Sequence, residues 1–441
     1  MTKTCARFLN QIGFVLSLQI ALVAPTSGPT LARDVATAQA QTHAQEITPF
    51  CDEQLAARLN KVIDIALEQK RIVGTVVVVA QDGRIVYKRA AGLADRENKK
   101  PMKQDNIFRL ASMSKTIVSA AALKLIEEGK LKLDDPVTKY LPDFQPKLAD
   151  GSTPPILISQ LLSHTSGLGY VFSEKADGPY HQAKVSDGLD QPGLSMAENM
   201  RRLASAPLLN EPGSKWRYSL SIDVLGAVLE KAANSSLQEI VRSRVTAPLA
   251  MNDTGFSINK ASRSRLTCPY YDNPQRQKDQ SDQTAEPLMM QALQLVKFDG
   301  GCFSFAPARL FDEKSYPSGG AGLSGTAEDY LSLLEAIRTS DKKLLTAESI
   351  KLMSNSQIGK LSISPSGEWG FTYGSAVLLN GKPEKGPHNS GTLQWGGAYG
   401  HHWFIDPVAR LSVVELTNTT VEGMSGPFSK EIAKAAYGKN Q

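Results

Sequence analysis

"LASMSKTIVSAAALKLIEEG", residues 110 to 129, sets a serine and a lysine three residues apart at the head of an apolar run that closes on Gly129. The run reads as a buried helix with a glycine at its C-terminal end. A spacing of three puts Ser112 and Lys115 on one helix face, within hydrogen-bond reach. A serine hydroxyl is a poor nucleophile until a base takes its proton, and a lysine can be that base only when neutral. Burial and nearby positive charge both disfavour the ammonium form, and helix N-terminal amides favour negative charge developing on a substrate. The same residues also fit a plain serine N-cap with a solvated lysine. Spacing does not separate the two readings, because Ser257 with Lys260 and Ser340 with Lys343 share it. Those pairs lie in polar, turn-like contexts; only Ser112 and Lys115 head an apolar helix.

Upstream of this helix, "DEQLAARLNKVIDIALEQKRI" places Leu55, Leu59, Val62, Ile63, Ala66 and Leu67 at helical spacing. "GTVVVVAQDGRIVYKRAAG" then gives two β-prone runs around an Asp-Gly turn, a hairpin signal. Near the other end, 369–379, 397–407 and 409–419 read as three strands, with "DPVAR" as the last turn and a closing helix in "GPFSKEIAKAAYG". Helical patterns fill the middle, including "ISQLLSHTSG", "SIDVLGAVLEKAANSS" and "LQEIVRSRVTAPLA". Residues 170–195 and 265–320 are polar and Gly/Pro-rich, and read as surface loops or cleft rims. Strands from both ends with helices between predict an α+β architecture: an antiparallel sheet flanked by terminal helices, plus an inserted, mainly helical lobe. The sheet lobe is expected over roughly 51–105 and 321–438, the helical lobe over roughly 106–320, and a site in the cleft between them.

Composition narrows the function classes. The chain has 441 residues, 41% of them hydrophobic, and a formal net charge of +5. It also lacks any long Lys/Arg run, so nothing points to nucleic acid. Lys3 and Arg7, the apolar stretch "IGFVLSLQIALVA" and small residues around "ATAQAQ" resemble a secretory signal over 1–40, cleaved after Ala38 or Ala40 and followed by a linker over 41–50. Removing 1–38 takes away Lys3, Arg7 and Arg33 against Asp34 and leaves +3. The apolar stretch is too short for a comfortable span. The expectation is an exported protein, periplasmic or secreted, with no membrane anchor after cleavage. Cys51, Cys268 and Cys302 would remain; Cys268 with Cys302 is one pairing, and unpaired buried thiols are the alternative. No CxxC or HxxxH spacing suggests a metal, and His401 and His402 would point to opposite faces of a strand. No cofactor is expected.

Five segments in order carry a family resemblance: "FRLASMSKTIVSAAALKLIEEGKLKLDDPVTKYLPDF", "ISQLLSHTSGL", "PGSKWRYSLSIDVLG", "GGAGLSGTAEDYLSLL" and "WGGAYGHHWFIDP". Together they resemble the serine hydrolases related to class C β-lactamases and DD-peptidases, and most closely the family VIII carboxylesterases. The resemblance runs from about residue 55 to 435. It implies Ser112 as nucleophile, Lys115 as its partner and Tyr218 as the tyrosine that moves the proton between serine and leaving group. Which of Lys115 and Tyr218 takes the serine proton stays open at this level. It also implies an oxyanion hole from the backbone N–H groups of Ser112 and Ala398. Trp395, Gly396 and Gly397 stand on the facing strand, where the family pattern reads Lys-Thr-Gly or His-x-Gly.

Two departures from the family pattern bear on the substrate. Trp395 replaces the lysine that would hold a β-lactam or peptide carboxylate, and Leu220 replaces the asparagine that contacts a substrate amide. Both favour small neutral esters over lactams or D-Ala-D-Ala peptides. A β-lactamase or DD-peptidase is the alternative within enzymes, and a non-catalytic binding protein on the same fold is the other. Tyr170, Phe172 and Tyr180 are candidates for the acyl pocket. His164 in "SHTSG" is read as packing a turn, since no GxSxG elbow accompanies it. Trp216, Trp369 and Trp403 are read as core or cleft-wall aromatics. "GGAGLSG" lacks the Lys-Ser/Thr of a phosphate loop and is expected to precede a helix near the cleft.

Overall fold

Asp82 and Gly83, with φ of 53° and 81°, form the two-residue turn between β1 (Gly74–Gln81) and β2 (Arg84–Asp95). Positive φ at both positions matches the twist of the flanking strands. The computed structural model describes residues 52–278, 285–298, 301–381 and 386–438. Cys51 and the signal-like stretch fall outside the described residues. β3 (Lys100–Pro101), β4 (Trp369–Phe371), β5 (Ala376–Leu378), β6 (Leu393–Gly397), β7 (His401–Asp406) and β8 (Leu411–Thr417) complete one sheet. Its order is β4-β5-β6-β7-β8-β1-β2-β3, antiparallel throughout. The chain's last long strand, β8, pairs with its first, β1, from Thr75 opposite Thr417 to Gln81 opposite Leu411.

Because side chains alternate across a strand, the valine run of β1 serves two cores. Val77 and Val79 pack with Phe404, Val413 and the apolar stripes of α1 (Glu53–Glu68) and α5 (Pro427–Tyr437). Val76 and Val78 face the other way, toward α2 (Ser114–Glu127), α3 (Ser221–Ala233) and α4 (Ala327–Thr339). α1 keeps the predicted face: Leu55, Leu59, Val62, Ile63 and Ala66 are buried, and the Asp52 carboxylate caps its first turn. The molecule is α+β: the two terminal helices pack together on one face of the antiparallel sheet, and the mainly helical middle segment with α4 covers the other. No helix among the described residues is long and apolar enough to cross a membrane.

Three expectations need correction. The run 369–379 is a hairpin, β4 and β5, not one strand: Thr372 N–H donates to the Ser375 carbonyl at 2.8 Å and closes a turn in its middle. The run 397–407 also divides, because Gly400 N–H donates to the Gly397 carbonyl at 2.9 Å; Gly397 ends β6 and β7 starts only at His401. Residues 265–320 are not simply loop, since Gln294–Phe298 pairs with Gly301–Phe305 and Tyr270–Tyr271 with Leu288–Met289. Val296, Phe303 and Phe305 are buried there while Leu295 is exposed, a period-2 pattern across a short hairpin. Cys268 and Cys302 are both free thiols, so the unpaired alternative holds for these two.

Candidate active site

Ser112 does not cap a helix. It sits in a single 3-10 turn, Ala111–Met113, from which α2 continues, and no side chain caps either start. Ala111 has φ of 46° although it carries a Cβ, a left-handed geometry that costs about 1 kcal/mol or more. Neighbouring elements hold it: Leu110 N–H donates to the Leu323 carbonyl at 2.8 Å, and His401 Nε2 lies 2.8 Å from the Arg109 carbonyl.

Lys115, one turn on, is only 1% exposed. Its Nζ lies 3.2 Å from Ser112 Oγ and donates to the Gly320 carbonyl at 2.7 Å. It also lies 4.7 Å from the centre of the Tyr218 ring. The Tyr218 hydroxyl is 2.7 Å from Ser112 Oγ, so the serine oxygen is shared by a phenol and an amine from two distant segments. The turn in "GGAGLSG" therefore contributes directly, through the Gly320 carbonyl. A Cβ on Gly320 would stand 2.3 Å from Asp223 Oδ2, so only glycine brings that carbonyl to Lys115.

His164 is more than turn packing. Its carbonyl accepts from Arg217 N–H at 2.9 Å and its Nδ1 from Ser219 N–H at 3.2 Å, gripping the chain on both sides of Tyr218. Its ring lies 4.9 Å from that of Tyr218. Burial and the Lys115 charge hold its pKa well below the ordinary value, so the ring is neutral. With Nδ1 accepting, the proton belongs on Nε2, which has no partner among the described residues. Asp223 was not singled out in the sequence. It is fully buried on α3 and accepts from Ser318 Oγ at 2.6 Å, beside the Gly320 turn. The signal was there: one carboxylate inside the otherwise apolar "IDVLG".

β6 forms the facing wall. Trp395 packs against Tyr218 and Phe371, with ring centres 5.3 and 5.2 Å apart. A Cβ on Gly397 would meet the Leu110 carbonyl at 2.3 Å, which is how closely this strand comes up to the Ser112 turn. A Cβ on Gly396 would meet the His401 carbonyl at 2.7 Å. Ala398 is buried; its carbonyl accepts from Thr420 Oγ1 at 2.9 Å, and its N–H has no acceptor among the described residues.

Tyr170 and Phe172 stand beside Tyr218, with ring centres 5.0 and 6.4 Å from its own. The Asp187 carboxylate fixes that turn by accepting Val171 and Phe172 N–H at 2.9 and 2.8 Å. Tyr180 does not line the pocket: it is fully buried and its hydroxyl donates to the Pro207 carbonyl. Trp216 joins the wall against His164 and Phe371, Trp403 is core, and Trp369 is half-buried beside His388. His401 and His402 lie on opposite faces of β7.

Comparison with known proteins identifies relatives over nearly the whole of residues 59–437. Residues 59–437 match the family model described as Beta-lactamase. The chain is 46% identical over 389 residues to Esterase EstB of Burkholderia gladioli, covering 87% of this chain and 96% of that protein. It is 26% identical to Lovastatin esterase of Penicillium rubens, over 79% and 89% of the two chains. Among solved structures it superposes on EstCE1, described as a hydrolase with promiscuous acyltransferase activity, with a TM-score of 0.81, 44% identity and coverage of 88% and 99%.

Proposed function

The chain belongs to the beta-lactamase family, and from that membership we propose that it is a serine esterase, cleaving small carboxylic esters through an acyl-enzyme on Ser112. The observation that carries this reading is the placement of Ser112 Oγ between the Tyr218 hydroxyl at 2.7 Å and Lys115 Nζ at 3.2 Å. In acylation the Tyr218–Lys115 pair takes the Ser112 proton as Oγ bonds to the ester carbonyl carbon. The N–H groups of Ser112 and Ala398 receive the oxyanion. Collapse breaks the bond to the alkoxy oxygen, and the pair returns the proton to the departing alcohol. Water then repeats the sequence on the acyl carbon and releases the carboxylic acid and free Ser112. The esterase names of the 46% and 26% identical relatives support the same reaction.

The ester preference rests on what the cleft lacks. Trp395 offers an aromatic face where a carboxylate would need a cation, and Leu220 is fully buried and cannot reach a substrate amide. An ester needs neither contact. Ser112→Ala is expected to abolish p-nitrophenyl butyrate turnover, and retained turnover would sink the proposal. Nitrocefin hydrolysis faster than butyrate ester hydrolysis at equal enzyme would instead favour the lactam reading.

A second reading, acyl transfer to an alcohol in place of water, draws on the transferase activity in the description of the 44% identical structure. The aromatic walls formed by Tyr170, Phe172 and Trp395 suit an organic acceptor better than water. Partitioning of the acyl group between water and added alcohol measures it. Export rests on residues 1–40, outside the described residues. Sequencing the N-terminus of the mature protein tests it, with a start after Ala38 or Ala40 as the expected result and a retained Met1 as the contrary one.

A further inference from the structure

Behind the catalytic layer lies a cavity of about 460 Å³ that the proposed reaction does not use. Its wall includes Arg109, three residues before the nucleophile, Ala321, next to the Gly320 carbonyl, and Tyr399, next to Ala398. Arg309 completes that side. Arg109 and Arg309 are the only arginines among the buried described residues, each 9% exposed, and neither forms an ion pair among the described residues, although Arg309 acts at longer range on the Asp190 and Asp223 carboxylates. Less buried arginines such as Arg71, Arg89 and Arg338 are ion-paired.

Backbone carbonyls satisfy the two guanidiniums only in part. Arg109 donates through Nε to Pro307 at 3.0 Å and through Nη1 to Thr267 at 3.1 Å. Arg309 donates through Nε to Asp190 at 3.1 Å and through Nη2 to Tyr316 at 2.7 Å. One Nη of each has no acceptor, and the Tyr399 hydroxyl, on a ring centred 5.9 Å from Arg109 Cζ, has no partner among the described residues. A buried guanidinium with no carboxylate in direct contact is costly, and its fork of N–H donors matches the oxygens of a planar or tetrahedral oxyanion. The acidic residues of the wall are more exposed and are turned to their own backbone. Glu230 accepts Leu237 N–H, Asp312 accepts Lys314 N–H, and Glu313 is at the surface.

We propose that this cavity binds a small oxyanion, inorganic phosphate or a short carboxylate, between the free N–H groups of Arg109 and Arg309 and the Tyr399 hydroxyl. Occupancy would brace residues directly adjacent to Gly320 and Ala398. The test titrates the full-length protein with phosphate and, separately, butyrate at constant ionic strength, following Tm. It also soaks crystals with selenate and locates selenium by anomalous scattering. A ligand that binds only the folded state raises Tm, and above its Kd the rise continues with the logarithm of its concentration. Expected are such a rise with at least one of the two anions, a selenium peak between the two guanidiniums, and affinity weaker by about tenfold in Arg309→Gln, the loss of one charge-assisted contact. A rise with phosphate alone identifies a free inorganic anion, and with butyrate alone a carboxylate such as the reaction's product. No rise in Tm with either anion, or selenium only elsewhere, overturns the proposal. If Arg309→Gln does not fold, the wild-type soak decides it.

Discussion

Ser112 Oγ takes its character from two neighbours, and its variants should show it. In the proposed reaction the serine, lysine and tyrosine act on one proton, so losing any one leaves the others without a task. Lys115→Ala and Tyr218→Phe are each expected to lower kcat for p-nitrophenyl butyrate by about 10³-fold or more, and the double variant by little beyond the worse single. Additive losses would mean that the two side chains act in separate steps. A different pH range reports on His401, whose burial lowers its pKa to about 4 against an ordinary 6.5. The native state therefore favours the neutral ring, and its contribution is complete above 6.5 and is lost as pH falls through 6.5 toward 4. Urea titrations from pH 7 to 4 should find the wild type losing up to about 3 kcal/mol more than His401→Gln across that window. Parallel curves for the two proteins would contradict it.

At the level of elements, the site is made by how closely β6 approaches the turn before α2. Gly397 leaves no room for a side chain, since a Cβ there would stand 2.3 Å from the Leu110 carbonyl. Gly397→Ala must push β6 away from Ser112, and a lowered Tm with a fall in kcat is the expected pair of effects. A variant with wild-type kcat would show that the strand's position does not matter to the reaction. The loop bearing Tyr218 is held differently, by the His164 carbonyl and Nδ1 on either side of it. That histidine was visible in "SHTSG", but its grip on residues 217 and 219 was not, because the contact joins segments more than fifty residues apart. The hairpin 369–378 was misread for a related reason. Its alternation suits a strand, and the turn at Thr372 and Ser375 depends on local hydrogen bonds that composition does not announce.

Across the whole molecule, one apolar core links the sheet to the helices. Val76 and Val414 of the sheet, Ile117 of α2 and Leu225 of α3 belong to the same buried cluster. Heating the protein should therefore give a single calorimetric transition with matching calorimetric and van't Hoff enthalpies. Two resolved transitions would show that sheet and helical segment unfold separately. Trp403, fully buried in that cluster, should cost about 3–5 kcal/mol when replaced by alanine. The sequence by itself determined the elements whose periodicity and turn residues are local: α1, the β1–β2 hairpin, α2 with its Ser112–Lys115 spacing, and α5. Ordered motifs also pointed to Tyr218 and Trp395 as members of one site. Only the tertiary structure decided that the Gly320 carbonyl receives Lys115, that His164 fixes Tyr218, that Tyr180 belongs to the core, and that two buried arginines without an ion pair among the described residues line a cavity near Ser112. Those facts depend on which buried donors and acceptors meet across long stretches of chain, and a linear pattern of residue types carries no record of such distances.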